Sequence, residues 1–160
     1  DEPTSGVDPI GRRRFWELLS RLAREEGVAI LITTHYLSEA EHCDRLALMY
    51  AGRIVAEGTP AHLKKQVERD IGQLVEMVVD KPGIALAHVV AAGFAGAALF
   101  GTKIHVLSRD PGRDEERLRD VLARSGIAVG SARTRMLSLE DVFVSRVMAL
   151  EQAAQKEVSA

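Results

Sequence analysis

Apolar residues in the first 32 positions follow two patterns, a helical spacing and then a continuous run. Between residues 15 and 22, apolar side chains recur at helical spacing on one face, and Asp8-Pro9 just before them can cap a helix and fill its first position. The pattern predicts a helix that begins at Asp8-Pro9 and ends at Gly27. The next five residues, 28–32, form an uninterrupted apolar run with β-branched side chains. Such a run is typical of a strand covered on both faces, as in the parallel sheet of an α/β protein.

The segment that follows contains turn and capping signals. Ser38 with Glu41 three residues later matches a capping box, which predicts a short helix. Two apolar stretches flank Ala51-Gly52, a pattern that favours a β-hairpin. The predicted elements of this part are a helix to about residue 44, strands 46–50 and 53–57, and a helix from Thr59-Pro60 to about residue 69.

After residue 70 the predicted order changes to strand, helix, strand, strand, helix, strand. This order matches the ferredoxin-like arrangement, in which two helices cover one face of a four-stranded antiparallel sheet. Ser138 and Asp141 then mark the start of a last helix. We therefore expect two domains, residues 1–70 of the α/β class and residues 71–160 with a ferredoxin-like α+β fold and a terminal helix. The strands are predicted at 74–79, 95–100, 103–107 and 127–133, and the helices at 84–92 and 114–125.

Charge and cysteine content narrow the classes of function. The chain has 160 residues with 21 basic and 23 acidic side chains, a formal net charge of -2, so no nucleic-acid partner is expected. A single cysteine, Cys43, cannot form an internal disulfide and suits a reducing compartment. Residues 83–101 contain no Asp, Glu, Lys or Arg, but their glycines and alanines favour a helix followed by a strand over a membrane span.

Two short motifs carry the chemistry of the first domain. Residues 1–9 read Asp-Glu-Pro-Thr-Ser-Gly-Val-Asp-Pro, and residues 33–35 read Thr-Thr-His after the predicted strand. Followed by Ser-Glu-Ala-Glu at 38–41, they resemble the Walker B motif, the D-loop and the switch histidine of ABC-type ATPases. The resemblance covers residues 1 to about 70 and implies the C-terminal portion of a P-loop ATPase domain. Because no strand precedes the first residue, we expect the chain to be the rear part of a larger protein.

The resemblance implies ATP and Mg²⁺ as cofactors and a role for each motif residue. Asp1 would hold Mg²⁺ through water, and Glu2 would orient the water that attacks ATP. His35 would contact the γ-phosphate, while Ser5 and Asp8 would lie at the nucleotide-binding interface with a second subunit. On the residues alone, Asp1 is also compatible with an acidic cap and Asp8 with no more than a helix cap.

The second domain carries another resemblance. Residues 137–143, Leu-Ser-Leu-Glu-Asp-Val-Phe, are similar to the C-terminal domain of ATP-binding subunits from drug, antibiotic or polysaccharide exporters. Together the two resemblances imply a head-to-tail dimer with a second ATP-binding subunit and a separate transmembrane permease as partners. They also imply a cytoplasmic protein, peripheral on the inner face of the cell membrane. In residues 71–160 we expect no carboxylate–histidine constellation, and hence no second catalytic site.

The chain alone is expected to be inactive, because the phosphate loop and the signature motif of family members lie upstream of the Walker B motif.

Two alternatives to this interpretation follow from the same sequence. If the first domain does not fold alone, the chain would act as a ferredoxin-like regulatory or dimerisation module. A metal site is compatible with the spacing of four residues, although the predicted capping box places the first of them off the helix face. These residues are His35, Glu39, His42 and Cys43.

Overall fold

A computed structural model of the chain describes residues 1–158, and the side chains of residues 1–155. It divides into two compact units, Asp1–Asp44 and Arg45–Ala160. The domain boundary that the sequence places at residue 70 stays a prediction. The described part is of the α/β class, with six helices and two antiparallel sheets. None of its helices is both long and apolar enough to cross a membrane.

The first unit contains the predicted long helix, α1 (Pro9–Glu25), and this prediction is confirmed. Asp8 caps it by accepting hydrogen bonds from the backbone N–H groups of Ile10 (2.9 Å) and Gly11 (3.0 Å). These bonds satisfy donors that have no partner within the helix. Gly27 follows in the left-handed region, at φ +68°, which suits a residue without Cβ.

Residues 28–32 are not a strand, so that prediction is wrong in this structure. The segment is irregular, and most of its apolar side chains are exposed, with Leu31 96% accessible and Val28 45%. Within the described residues of the first unit no strand lies beside it to pair with its backbone. A buried parallel strand needs neighbours on both edges and cover on both faces, and the apolar run alone supplies neither.

The predicted capping box is also wrong. The short helix α2 (Leu37–Ala40) begins after Tyr36, whose side chain makes no capping hydrogen bond. Ser38 therefore lies inside the first turn rather than at the cap. The helix ends four residues earlier than predicted, and its third residue, Glu39, is 3% exposed.

The second unit opens with the predicted hairpin, β1 (Leu46–Tyr50) and β2 (Arg53–Gly58). Its two-residue turn has positive φ at both Ala51 (+47°) and Gly52 (+74°), as the twist of antiparallel strands favours. The next predicted helix is confirmed as α3 (Pro60–Asp70), capped by the Thr59 hydroxyl. Local turn and cap chemistry therefore places these elements correctly.

The rest of the second unit follows the predicted element order. The sheet is antiparallel throughout, with strand order β4-β5-β3-β6. The strand predicted at 95–100 is shorter than expected and begins at Ala98, because the Ala97 N–H bonds to the carbonyl of Phe94 in a turn before it. The elements are β3 (Gln73–Val79), α4 (Pro82–Ala91), β4 (Ala98–Phe100), β5 (Lys103–Ser108), α5 (Pro111–Arg124), β6 (Val129–Arg135) and α6 (Leu139–Val158).

The two faces of this sheet have different chemistry. One face packs against α4 and α5 through a buried apolar core, and this burial stabilises the unit. On the other face Glu76 and His105 are buried, and α6 contributes the buried Leu139 and Val142. The apolar core includes Val75, Met77, Ala85, Val89, Ile104, Val106, Leu118 and Leu122.

Candidate functional site

The loop before α1 and the loop before α2 bring the predicted catalytic residues into contact. His35 Nδ1 lies 2.9 Å from Glu2 Oε1, although 33 residues separate the two in sequence. Both side chains are about half exposed, so the contact lies at a surface that a ligand can reach. The structure therefore joins the two residues that sequence reasoning selected as catalytic.

Backbone bonds fix the loop that carries these carboxylates. The Glu2 N–H donates to the carbonyl of Thr33 at 3.0 Å and lies 3.2 Å from its hydroxyl. The Thr33 hydroxyl in turn donates to Asp1 Oδ1. Glu2 has a φ of +42°, a region that costs non-glycine residues energy and is most common at functional sites. Asp1, Glu2 and His35 thus form one cluster around Thr33.

Ser5 and Asp8 lie in the same loop but serve its backbone. The Ser5 N–H donates to the Glu2 carbonyl at 3.0 Å, which closes a tight turn after the cluster, and the Ser5 side chain is exposed. The Asp8 carboxylate accepts the two N–H groups at the start of α1, and those bonds, from Gly11 first, lower the Asp8 pKa. Their predicted place at an interface between subunits stays a prediction.

Sequence reasoning considered Glu39 only as a metal ligand and did not predict it as a buried, hydrogen-bonded carboxylate. Glu39 accepts a hydrogen bond from the Thr4 hydroxyl at Oε1 (2.5 Å) and from the Thr34 hydroxyl at Oε2 (3.0 Å). Arg12 Nε lies 3.3 Å from Oε1 as an ion pair. The pattern Ser-Glu-Ala-Glu was interpreted as a cap, and no local signal identifies a carboxylate whose partners lie 35 and 5 residues away.

The four residues considered as metal ligands do not form a metal site in this structure. The His42 ring packs against that of Trp16, with centroids 5.2 Å apart and planes tilted by 32°. Glu39 contacts Thr4 and Thr34, and His35 contacts Glu2. Burial, together with nearby Asp44 and Glu39, raises the pKa of the Cys43 thiol, which disfavours the thiolate that metals require. In the part of the chain that the structure describes, no three His, Cys, Asp or Glu residues are grouped to hold a metal.

The exposed cluster nevertheless offers suitable groups for part of a magnesium–nucleotide site. Asp1 and Glu2 present carboxylate oxygens, the ligands that Mg²⁺ and its bound waters prefer. His35 offers an imidazole next to them, which can donate to a phosphate oxygen. The donor set fits Mg²⁺ held mainly through water, since few protein oxygens converge on one point.

A second charged cluster lies on the face of the second unit's sheet that does not pack against α4 and α5. It contradicts the expectation that residues 71–160 contain no carboxylate–histidine constellation. His105 lies between two carboxylates, 2.7 Å from Asp141 at Nδ1 and 3.2 Å from Glu76 at Nε2. All three side chains are at most 5% exposed. A carboxylate–histidine constellation is therefore present in residues 71–160. It arises because β3 pairs with β5 so that Glu76 and His105 are directly opposite.

This second cluster is built to hold the sheet and α6 together. Burial opposes ionisation of Glu76, but hydrogen bonds from Arg133, Lys103 and His105 outweigh it and lower its pKa to about 2. The pKa of Asp141 is lowered as well, since hydrogen bonds from His105 and Ser138 outweigh its burial. Carboxylates occupy both ring nitrogens of His105, so the ring has no free position for general-base catalysis.

Comparison with known proteins decides the family. No family model matches the chain. It is 36% identical over 146 residues, 90% of its length, to the Nod factor export ATP-binding protein I of Rhizobium sp. (strain N33). It is 51% identical over 70 residues to the probable multidrug ABC transporter ATP-binding protein YbhF of Escherichia coli K12, and 39% identical over 82 residues to the energy-coupling factor transporter ATP-binding protein EcfA1 of Caldanaerobacter subterraneus. The chain is a homologue of ABC transporter ATP-binding proteins.

The resemblance stated from the sequence is thereby confirmed. The match to the Nod factor export protein extends over both units, because 146 of 160 residues are aligned. The chain spans less than half the length of these relatives: 44% of the Nod factor export protein, 12% of YbhF and 30% of EcfA1. The roles of individual residues in this ABC homologue stay predictions.

Proposed function

We propose that the chain is the C-terminal part of the ATP-binding subunit of an ABC exporter, in which it supplies the water-orienting and γ-phosphate-contacting part of an ATPase site. One observation carries the proposal. Glu2 and His35, from two motifs 33 residues apart, meet at 2.9 Å on an accessible surface. A carboxylate next to an imidazole, both able to reach a phosphate, suits water attack on ATP.

Each residue then has one chemical task. Asp1 would hold Mg²⁺ through its bound waters, and the metal would neutralise phosphate charge. Glu2 would accept the proton of the attacking water as the water oxygen bonds to the γ-phosphorus and ADP leaves. His35 donates to the γ-phosphate once nucleotide replaces Glu2 as its partner. Ser5 and Asp8 face the second ATP-binding subunit of a head-to-tail dimer. ATP and Mg²⁺ are the cofactors of the full-length subunit.

The relatives support the proposed substrate class. A Nod factor exporter and a probable multidrug transporter protein are among them, which supports export of a drug, antibiotic or polysaccharide-like substrate. The subunit would work beside a separate transmembrane permease, on the cytoplasmic face of the membrane. For residues 71–158 we propose a ferredoxin-like accessory domain, supported by the strand order β4-β5-β3-β6.

Steady-state ATP hydrolysis with Mg²⁺ tests the proposal. We expect activity in the full-length subunit, none in this 160-residue chain, and a loss of about a hundredfold or more in kcat for Glu2→Gln. Glu17→Gln is the matched control, because Glu17 pairs only at the exposed surface with Arg13. An unaffected Glu2→Gln subunit, or an inactive wild-type subunit, would refute the proposal.

A further inference from the structure

The buried Glu39 carboxylate has no task in the proposed chemistry. It is 3% exposed, and its Thr4 partner is 1% exposed. A charged group is removed from water at a large cost unless each oxygen has partners. Here each oxygen has a partner from a different loop. Thr4 lies in the loop between Glu2 and Asp8, which contains the D-loop and is called so below, and Thr34 lies in the loop of the switch histidine.

This arrangement links the positions of the two loops. A carboxylate is planar and rigid, so its two oxygens keep a fixed separation and direction. Thr4 donates to one of them at 2.5 Å and Thr34 to the other at 3.0 Å. If the D-loop moves, Thr4 either loses its buried charge-assisted hydrogen bond to Glu39 or carries Glu39 along, and Thr34 moves with Glu39.

The link continues from Thr34 to the catalytic histidine. The Thr34 hydroxyl also accepts the Tyr36 N–H at 3.0 Å, so the backbone on both sides of His35 is tied to one side chain. Arg12, the ion-pair partner of Glu39, lies over the Tyr36 ring at 5.0 Å, and that ring lies 4.1 Å from the His35 ring. Hydrogen bonds and ring contacts therefore connect the main chain and the ring of His35 to Glu39.

We propose that Glu39 is a positioning residue that couples the D-loop to the switch histidine. It touches no substrate and acts through Thr4 and Thr34, so that a D-loop shift changes where His35 points. The inference rests on the proposed function, because the coupling matters only where His35 serves a nucleotide. Any contact that moves the D-loop would then be transmitted to the phosphate-contacting imidazole.

The first test uses the chain as it stands, without nucleotide. Proton–nitrogen correlation spectra of the imidazoles report the environment of His35 in the wild type, in Glu39→Gln and in the control Glu17→Gln. We expect Glu39→Gln to shift the His35 ring signals and leave those of His88, in α4, in place. Unchanged His35 signals in a folded Glu39→Gln chain would overturn the inference. A merely structural carboxylate would lower stability without moving those signals.

Should Glu39→Gln fail to fold, Thr4→Val and Thr34→Val remove one hydroxyl each at nearly constant volume. The inference expects Thr4→Val to shift the His35 signals although Thr4 does not contact that ring. If only Thr34→Val shifts them, the D-loop is not coupled and the inference is wrong. Thr4 is therefore the more demanding variant.

The second test uses the full-length subunit. We expect Glu39→Gln to lower kcat about tenfold or more, in the range seen for residues that orient primary ligands, with a much smaller change in KM. A wild-type rate in Glu39→Gln would overturn the positioning role. An inactive wild-type subunit would instead refute the proposed function, and the imidazole spectra would still decide whether Glu39 positions His35.

Discussion

Replacing Glu76 with glutamine should cost the second unit much of its stability. The Glu76 carboxylate faces Arg133 at 2.8 Å, Arg135 at 3.1 Å and Lys103 at 3.2 Å, besides His105. Glutamine has nearly the same shape but no charge, so these basic groups would lose their shared counter-ion. Glu76 itself is 5% exposed, whereas Arg133 and Lys103 are 67% and 39% exposed. The change therefore removes the buried charge of the network and leaves its basic partners partly solvated.

The pKa of Glu76 gives the magnitude. It falls from 4.5 to about 2, and each unit corresponds to about 1.4 kcal/mol, so the ionised side chain contributes about 3 kcal/mol to folding. Because the folded pKa is below the unfolded one, this contribution is fully present above about pH 5. It is lost as the pH falls from the unfolded value of 4.5 through about 2.

Urea unfolding followed by far-ultraviolet circular dichroism measures the effect. At pH 7 we expect Glu76→Gln to lower the free energy of unfolding by about 3 kcal/mol relative to wild type. The matched control is Glu115→Gln, which removes a partly exposed partner of Arg119 on α5 and should cost about 0.5 kcal/mol or less.

The pH dependence makes this prediction specific. The difference between wild type and Glu76→Gln should shrink as the pH is lowered from 5 towards about 2, since protonated glutamate carries no charge either. A Glu76→Gln protein as stable as the control at pH 7 would refute the reasoning. So would a difference that persists unchanged near pH 2, because it would reflect packing rather than charge.

Other predictions concern backbone, cap and core. Gly72→Ala should lower the free energy of unfolding of the second unit by more than about 2 kcal/mol. Gly72 has φ +128°, and a Cβ there would lie 2.0 Å from the Ser108 carbonyl oxygen. Gly83→Ala, with open space in α4, should be neutral or slightly stabilising in the same urea denaturation assay. Asp8→Ala should lower the helix signal and the thermal midpoint by removing the cap of α1. Leu122→Ala should cost about 2–5 kcal/mol in urea unfolding, because Leu122 is fully buried.

The elements that the sequence predicted correctly are those set by local chemistry. Asp8-Pro9 and Thr59-Pro60 begin helices, and Ala51-Gly52 turns a hairpin, because capping bonds and positive φ involve only neighbouring residues. Ser138 is a further case. Asp141 N–H lies 3.3 Å from its hydroxyl, and Ser138 N–H donates back to the Asp141 carboxylate at 2.8 Å.

The errors concern features that depend on distant residues. An apolar run such as 28–32 predicts burial, but whether it becomes a strand depends on partners that pair with its backbone. Ser38 and Glu41 match a capping box, yet the helix start is set by Tyr36, whose carbonyl accepts the Glu39 N–H at 2.9 Å.

The functional clusters were predictable only in part. Asp1, Glu2 and His35 were found because each belongs to a short motif with a chemical meaning. Glu39 was considered only as a metal ligand, since its partners Thr4 and Thr34 are brought to it by the folding of two loops. Glu76 carried a faint signal, a carboxylate inside an apolar strand. Its partners follow from strand register, which sets His105 and Arg133 directly opposite and which side-chain pattern alone does not specify.

The central claim is that Glu2 and His35 act on the terminal phosphate of ATP. Its most direct test is the nucleotide that the full-length subunit retains after incubation with ATP and Mg²⁺ and removal of free nucleotide. We predict mainly ADP on the wild type and on the control Glu17→Gln. We predict mainly ATP on Glu2→Gln, because nucleotide binding survives while the attacking water is no longer oriented. Equal proportions of ADP on wild type and Glu2→Gln, or no retained nucleotide on either, would contradict the account.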